Sequence, residues 1–299
     1  MPIASVAHPL GPPVISGTTV TVDTMLQQPT RVTRMIMDLS LQRFIADRIF
    51  ASAGGVTGGA VIYDQATVNE LWTDRDVQRV LPAEEFPVIT SSRLIPKLAQ
   101  VEKWGGKVYI TDEARDRNNS VALTNQLRQL TNTIIRKINA RAVAELEASI
   151  AAFPSQTYAG SAWNTVVTGG SGQSAASAWP AADFARAQLL ADQQELGVIF
   201  NLWLLNPMQL ARLRTIYGDN LEGVLSTFNI RIYTSNRVPA GVAYVCVEGQ
   251  VGEMRIEKPL STETWREAKT QRWWMQTDVR PVMYVTNPYS VVKVTGLGT

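Results

Sequence analysis

From Leu123 to Ile150 apolar residues return at steps of three and four: Leu123, Leu127, Leu130, Ile134, Ile138, Ala142, Leu146 and Ile150. Such spacing puts one stripe of side chains on a single helical face. Thr111 stands ahead of it as a side-chain cap, Asp112 and Glu113 suit the positive end of a helix, and no proline follows until Pro154. A helix from Glu113 to Ala152 rises about 1.5 Å per residue and so spans roughly 55 to 60 Å. A compact domain of about 100 residues is narrower than that. The molecule must be flat or elongated. The steps drift toward four instead of holding a strict heptad, which favours a helix laid across a sheet over a coiled coil.

The chain has 299 residues, room for two ordinary domains or for one core carrying long extensions. It is 45% hydrophobic and only 18% charged, below the roughly 25% of a typical soluble chain. Part of its surface is therefore expected to meet protein. Lys plus Arg number 28 against 26 for Asp plus Glu, a net charge of +2 that gives no bulk attraction to nucleic acid or acidic membranes. One cysteine, Cys246, excludes an intrachain disulfide and a thiolate zinc cage, and a reducing compartment suits it. It lies in a strand-like apolar run and reads as core. The one histidine, His8, sits in a Pro-rich leader, which removes His-based triads and metal sites.

No nucleophile elbow, metalloprotease, dinucleotide or redox motif occurs. Glu84-Glu85 and Asp112-Glu113 are neighbours whose side chains diverge, so paired carboxylate catalysis is not expected. No catalytic, cofactor-binding or metal-binding residue is assigned. Arg266, Lys269, Arg272, Trp273, Trp274 and Arg280 bring cations and aromatics together. A sheet edge or subunit contact accounts for them better than single-stranded nucleic acid does, because Glu263, Glu267 and Asp278 dilute the charge. The first 22 residues are uncharged but broken by prolines, unlike a signal peptide, and the uncharged stretch 155–182 is too polar to span a bilayer. A chain without membrane contact is expected.

Read in order, residues 1–59 form an arm and an amphipathic helix. The β-branched run around Val14, Ile15, Val20 and Val22 favours extension and is expected to dock on neighbouring molecules. Arg31 to Phe50 has helical periodicity, and the glycines from Gly54 to Gly59 end it as a hinge. Residues 60–100 begin an extended projection with strands expected at Val61–Tyr63, Phe86–Ile89 and Lys107–Ile110. Its middle carries Glu70, Trp72, Asp74, Arg75, Asp76, Arg79, Glu84 and Glu85. An isolated hairpin is marginal in water, and alternating charge with a tryptophan suits ion pairs to another chain, so these residues are expected at a subunit interface. After the long helix, 155–182 reads as a linker. A helix entered at Pro180 opens a second α/β unit containing a buried strand at Val198–Leu205, a helix after Asn206-Pro207, and strands near 228–233, 242–247 and 254–257. The end of the chain returns to long strands.

The order of these parts resembles the major capsid proteins of tailed bacteriophages with the Hong Kong ninety-seven type of fold. The resemblance runs from roughly residue 30 to the end. It rests on the charged hairpin, Phe86-Pro87, Lys103-Trp104-Gly105-Gly106-Lys107 leading to Ile110-Thr111-Asp112-Glu113, the spine-like helix, Asn206-Pro207, the run from Asn229 to Gly241, and Arg280-Pro281 to Pro288-Tyr289-Ser290-Val291. It implies an α+β subunit with an N-terminal arm, an extended loop at 60–100, a peripheral domain (101–164 and 263–299) carrying a spine helix about 113–152, and an axial domain at 165–262. It further implies many copies assembling into pentamers and hexamers around double-stranded DNA without sequence specificity. The partners implied are a separate scaffolding protein, a portal and a decoration protein. Residues 60–96 contain no lysine, so the isopeptide cross-link of some relatives is not expected. With about 30 arm residues, a fused scaffolding region is not expected. An encapsulin-like nanocompartment shell is the alternative with the same fold; a monomeric carboxylate-using hydrolase or binding domain is the alternative of another class. A jelly roll of short strands cannot hold the long helix.

Overall fold

The structure is a computed structural model that describes residues 44–67, 73, 75–90 and 96–298, and, nearer the N-terminus, residues 14, 15, 19, 20, 22, 26, 29, 30, 32 and 33. In chain order the body runs α1 (Ala46–Ile49), β1 (Phe50–Gly55), β2 (Ala60–Tyr63), β3 (Lys97–Gln100), β4 (Trp104–Thr111), α2 (Asp112–Asp116) and α3 (Ser120–Ala151). It continues with β5 (Thr157–Ala159), α4 (Pro180–Asp192), β6 (Leu202–Leu205), α5 (Pro207–Tyr217) and α6 (Leu221–Thr227). The last strands are β7 (Arg231–Thr234), β8 (Ala243–Cys246), β9 (Gly252–Glu267), β10 (Arg272–Val285) and β11 (Val291–Thr295).

Two sheets form the body. One has the order β1-β9-β10-β4, built on the long antiparallel β9–β10 hairpin, with β1 added in parallel. The other has the order β5-β11-β8-β6-β7, antiparallel at its centre and parallel at both edges. A separate two-stranded pair, β2-β3, forms the base of the projecting loop.

Local chemistry sets the ends of the helices. Thr111 Oγ1 accepts from the Ala114 amide at 3.3 Å and caps α2. The helix expected to run unbroken from Glu113 divides at Arg117–Asn119. Asn118 takes a left-handed φ of 50°, which Asn tolerates better than most residues, and Asn119 Oδ1 accepts from the Ala122 amide to start α3 afresh. The remaining helix has 32 residues, hence a length of about 48 Å. Asn206 Oδ1 caps α5 through the Met208 amide, with Pro207 in the first turn, and Gly218 at φ 51° ends it.

The stripe on α3 faces both sheets. Ile134, Ile138, Ala142, Leu146 and Ile150 pack with Phe50, Met283 and Val285 of the first sheet and with Leu202, Leu204 and Tyr244 of the second. Toward its N-terminus, Leu123 and Leu127 meet Ile110 and Met275 under Val22, Leu26 and Val32 of the arm. Leu130 is partly buried. The other face of the second sheet is covered by α4 to α6 around Trp163, Phe184 and Trp203, whose rings contact edge to face or tilted.

Several sequence expectations change. Within the helix expected over Arg31 to Phe50, residues 32, 33 and 46–49 are helical and 34–43 lie outside the described residues. The glycines expected as a hinge begin instead inside β1, whose residues pair with Gly252–Ile256; this ladder and the burial of Phe50 override the helical pattern. Phe86–Ile89 is not a strand, and Lys107–Ile110 pairs with β10 in the body instead of completing the hairpin. Residues 157–159, expected in a linker, supply an edge strand, and the strand expected at 198–205 is restricted to β6. β11, inside the expected peripheral segment, lies between β5 and β8 in the second sheet, and β9 starts in the first sheet at Gly252.

Leu146 is fully buried between the sheets. Leu146→Ala should cost about 2 to 5 kcal/mol and lower the urea midpoint of unassembled subunits. Val121→Ala, at an exposed position of the same helix, should stay within about 0.5 kcal/mol of the parent.

Candidate assembly surfaces

The projecting loop stands on a rigid stem. β2 and β3 pair from Ala60↔Gln100 to Tyr63↔Lys97. Val61 is buried on Val282 and Tyr284 of β10, and the Tyr63 ring stacks on that of Tyr284 with centroids 4.5 Å apart. Gln65 is buried where the chain leaves the stem. Its Nε2 donates to Ser149 Oγ of α3 at 3.2 Å and to the Val285 carbonyl at 3.1 Å, and its Oε1 accepts from Lys97 Nζ. The Ala66 amide donates to the Thr286 carbonyl at 2.8 Å. Both sheet and helix therefore hold the root of the loop.

Beyond the root, the loop changes character. Residues 75–90 form no helix or strand, and the turn at Leu81–Glu84 is closed by the Glu84 amide on the Leu81 carbonyl and by Glu84 Oε2 on the Leu81 amide. Phe86 is 79% exposed and Val77 and Val88 are each 75% exposed. Large apolar side chains grouped this way on one loop mark a contact surface.

Of the residues expected at an interface, Arg75, Asp76, Arg79, Glu84 and Glu85 are exposed on this loop. Glu70, Trp72 and Asp74 lie outside the described residues. Val14 and Ile15 pair antiparallel with Val20 and Thr19. Val22 is helical and buried in its own chain, packed with Leu26 and Val32 at the end of the sheet, and its amide donates to Asn118 Oδ1 at 2.8 Å. Thr33 Oγ1 likewise accepts from the Thr262 amide, and Thr264 Oγ1 donates to the Leu26 carbonyl. The exposed apolar tip carried little signal, since Phe86–Ile89 reads equally as a strand, and nothing in the sequence marked Gln65.

Electrostatics at the stem centre on Tyr284. Its hydroxyl donates to Glu253 Oε2, which also accepts from Arg255 at 2.9 Å. Burial, with the Glu253 hydrogen bond second, pushes the phenol up to about 12, and the same bond holds the Glu253 carboxyl below its ordinary value of 4.5. Elsewhere, burial raises the Asp183 carboxyl although it accepts from the Ser161 amide and from Trp163 Nε1 at 2.7 Å. This ties α4 to the loop before it. Cys246 is wholly buried and its thiol is pushed up, which leaves it inert. Among the described residues no three His, Cys, Asp or Glu side chains are grouped to hold a metal ion, and no helix is long and apolar enough to cross a membrane.

Against known proteins, the family described as phage capsid protein matches residues 94–294. No curated protein matches. The fold is similar to that of a chain from Mycobacterium phage Bobi, with a TM-score of 0.59 at 13% identity over 87% of this chain and 90% of that one. It is also similar to the capsid structure of the cyanophage P-SCSP1u, with a TM-score of 0.58 at 12% identity over 86% and 89%. A virus-like particle from Pyrococcus furiosus gives a TM-score of 0.58 at 10% identity over 88% and 98%. The architecture is the Hong Kong ninety-seven type capsid fold in the α+β class.

Because the pKa of Glu253 is depressed in the fold, its contribution is complete above pH 4.5 and is lost as pH falls through the folded value. The hydrogen-exchange protection factors of residues 60–66, after correction for the slower intrinsic exchange in acid, should therefore fall on acidification below about pH 4.5, more than those within α4. Glu253→Gln should flatten that acid dependence.

Proposed function

The chain belongs to the phage capsid protein family, and from that premise we propose that it is the major capsid protein of a tailed phage. Many copies assemble into hexamers and pentamers of an icosahedral head that encloses double-stranded DNA. The observation that carries this reading is the loop with exposed apolar side chains, held on a stem that both α3 and the first sheet brace. Such a loop loses solvent-exposed apolar area only when another molecule covers it. In a shell the loop and the extreme N-terminal arm overlap neighbouring subunits, and the unit built on the second sheet closes rings by heterologous contacts. Many modest interfaces then sum to a stable container.

The role is structural. The proposed partners are sister copies, a separate scaffolding protein, a portal, a decoration protein and packaged DNA bound without sequence preference. The proposed setting is assembly in the host cytoplasm and residence in the virion. The family match gives no support to a monomeric hydrolase. An encapsulin-like shell remains the second reading, supported by the likeness in fold to the Pyrococcus furiosus virus-like particle.

Electron microscopy of the purified protein should show closed icosahedral particles, and those made during infection should hold nuclease-protected double-stranded DNA. A folded monomer that never assembles defeats the proposal, and a protein cargo in place of nucleic acid favours the second reading. Because residues 60–96 contain no lysine, denaturing gels of mature shells should show a single monomer-sized band without a ladder.

A further inference from the structure

The small positive balance of this chain is unevenly placed. Residues 117–144 hold five of its 28 lysines and arginines and none of its 26 aspartates and glutamates, so the rest, 23 cations against 26 acids, is net acidic. Nearly all of that stretch belongs to α3, whose buried stripe joins the two sheets. On the side of α3 away from the stripe, Arg128, Arg136 and Lys137 are exposed. None of the three makes an ion pair among the described residues, whereas Arg141, farther along the helix, pairs with Glu102 and Glu145. At about 1.5 Å per residue, the three charges spread over roughly 14 Å of the helix axis.

The side chains between them decide what this face can receive. Asn125, Gln129 and Asn132 are exposed there, and each carries an amide that donates as well as accepts. Among the described residues, the one large apolar side chain exposed on α3 is Val121, at its start. A protein partner needs an apolar or aromatic centre to bury, and this face has none. Contacts to a nucleic-acid backbone need no such centre. They run from Arg, Lys, Asn and Gln to phosphate oxygens and are polar, wet and positively charged. Duplex DNA carries about one charge per 1.7 Å of its axis, so a length matching the three cations presents about eight phosphates.

We propose that the exposed face of α3 between Asn125 and Lys137 is the surface on which the subunit meets the phosphate backbone of duplex DNA. Cations and amides on a convex helix face reach phosphates and not base edges, so the contact has no sequence preference. Three cations bind weakly in one subunit, and repetition over many copies makes the contact count. The inference rests on the shell reading and adds to it the surface that faces the genome.

The test uses full-length chain assembled during infection, with p-benzoylphenylalanine introduced at Gln129 or, for comparison, at Phe86 of the projecting loop. Filled heads are irradiated and their DNA is repurified under denaturing conditions. Capsid protein attached to DNA is expected from position 129 and not from position 86. Filled heads without attachment from position 129, equal attachment from both positions, or attachment from position 129 to a protein in place of DNA overturn the inference and leave the shell reading intact. A parent chain that never yields DNA-filled heads strikes the shell reading itself. In a second measurement, unassembled subunits are titrated with a 30-base-pair duplex at several salt concentrations. The logarithm of affinity against the logarithm of salt should fall with a slope of about −2.7 for three phosphate contacts. The combined Arg128→Gln, Arg136→Gln and Lys137→Gln variant should lose that slope, and the charge-preserving Arg128→Lys, Arg136→Lys and Lys137→Arg variant should keep it. A slope unchanged in the glutamine variant overturns the assignment. Circular dichroism checks that the variants fold, and the cross-linking decides the case if they do not.

Discussion

The structure depends on one packing relationship, the apolar stripe of α3 serving two sheets at once. A helix ordinarily buries its stripe against one layer. Here Ile134, Ile138, Ala142, Leu146 and Ile150 contact residues of both sheets, so a single rod connects what would otherwise be two small units. The join is reinforced at the surface, where Lys293 of β11 pairs with Glu147 of α3 at 2.5 Å and holds that carboxyl below its ordinary value. Close packing of this kind transmits displacement instead of absorbing it. The two sheets therefore present their outer edges at a set separation, as a subunit of a repeating shell requires.

The same rod anchors the projecting loop. Ser149 lies one residue before Ile150 of the stripe and accepts from Gln65, so the loop root refers to the same helix that positions both sheets. Tyr63 on Tyr284 and Val61 on Val282 bury the stem on the outside of β10. A free monomer would find the resulting combination unfavourable: a braced stem holds exposed Phe86 and Val88 away from their own core. The arm is built the opposite way. Its Val22, Leu26 and Val32 are buried in its own subunit, at the end of the first sheet beside Leu123 and Leu127.

The titratable groups with displaced pKa values tie elements together. Asp183 receives the Ser161 amide and Trp163 indole, Asp112 is held low by Arg266, and Glu253 secures the Tyr284 hydroxyl. Each joins segments distant in the chain, which is how a shell subunit with little bulk charge keeps its geometry.

Much was legible in the residue order. The periodic stripe, the Thr111 and Asn206 caps, the strand character around Cys246 and the order of parts that resembles a capsid subunit all depend on local chemistry, where side-chain spacing and backbone preference act within a few residues. Phe50–Gly55 reads as the end of a helix because its partner, Gly252–Ile256, lies some two hundred residues away and contributes nothing to local preference. The same holds for the placement of β11 in the second sheet, for the burial of Val22 and for Gln65 as the root of the loop. The sequence by itself determined which segments could be helix, strand or turn and that some apolar surface would be left over. Only the tertiary structure decided which strands pair, which face of each is covered and where that surplus lies, because pairing and burial are set by contacts between residues far apart in the chain.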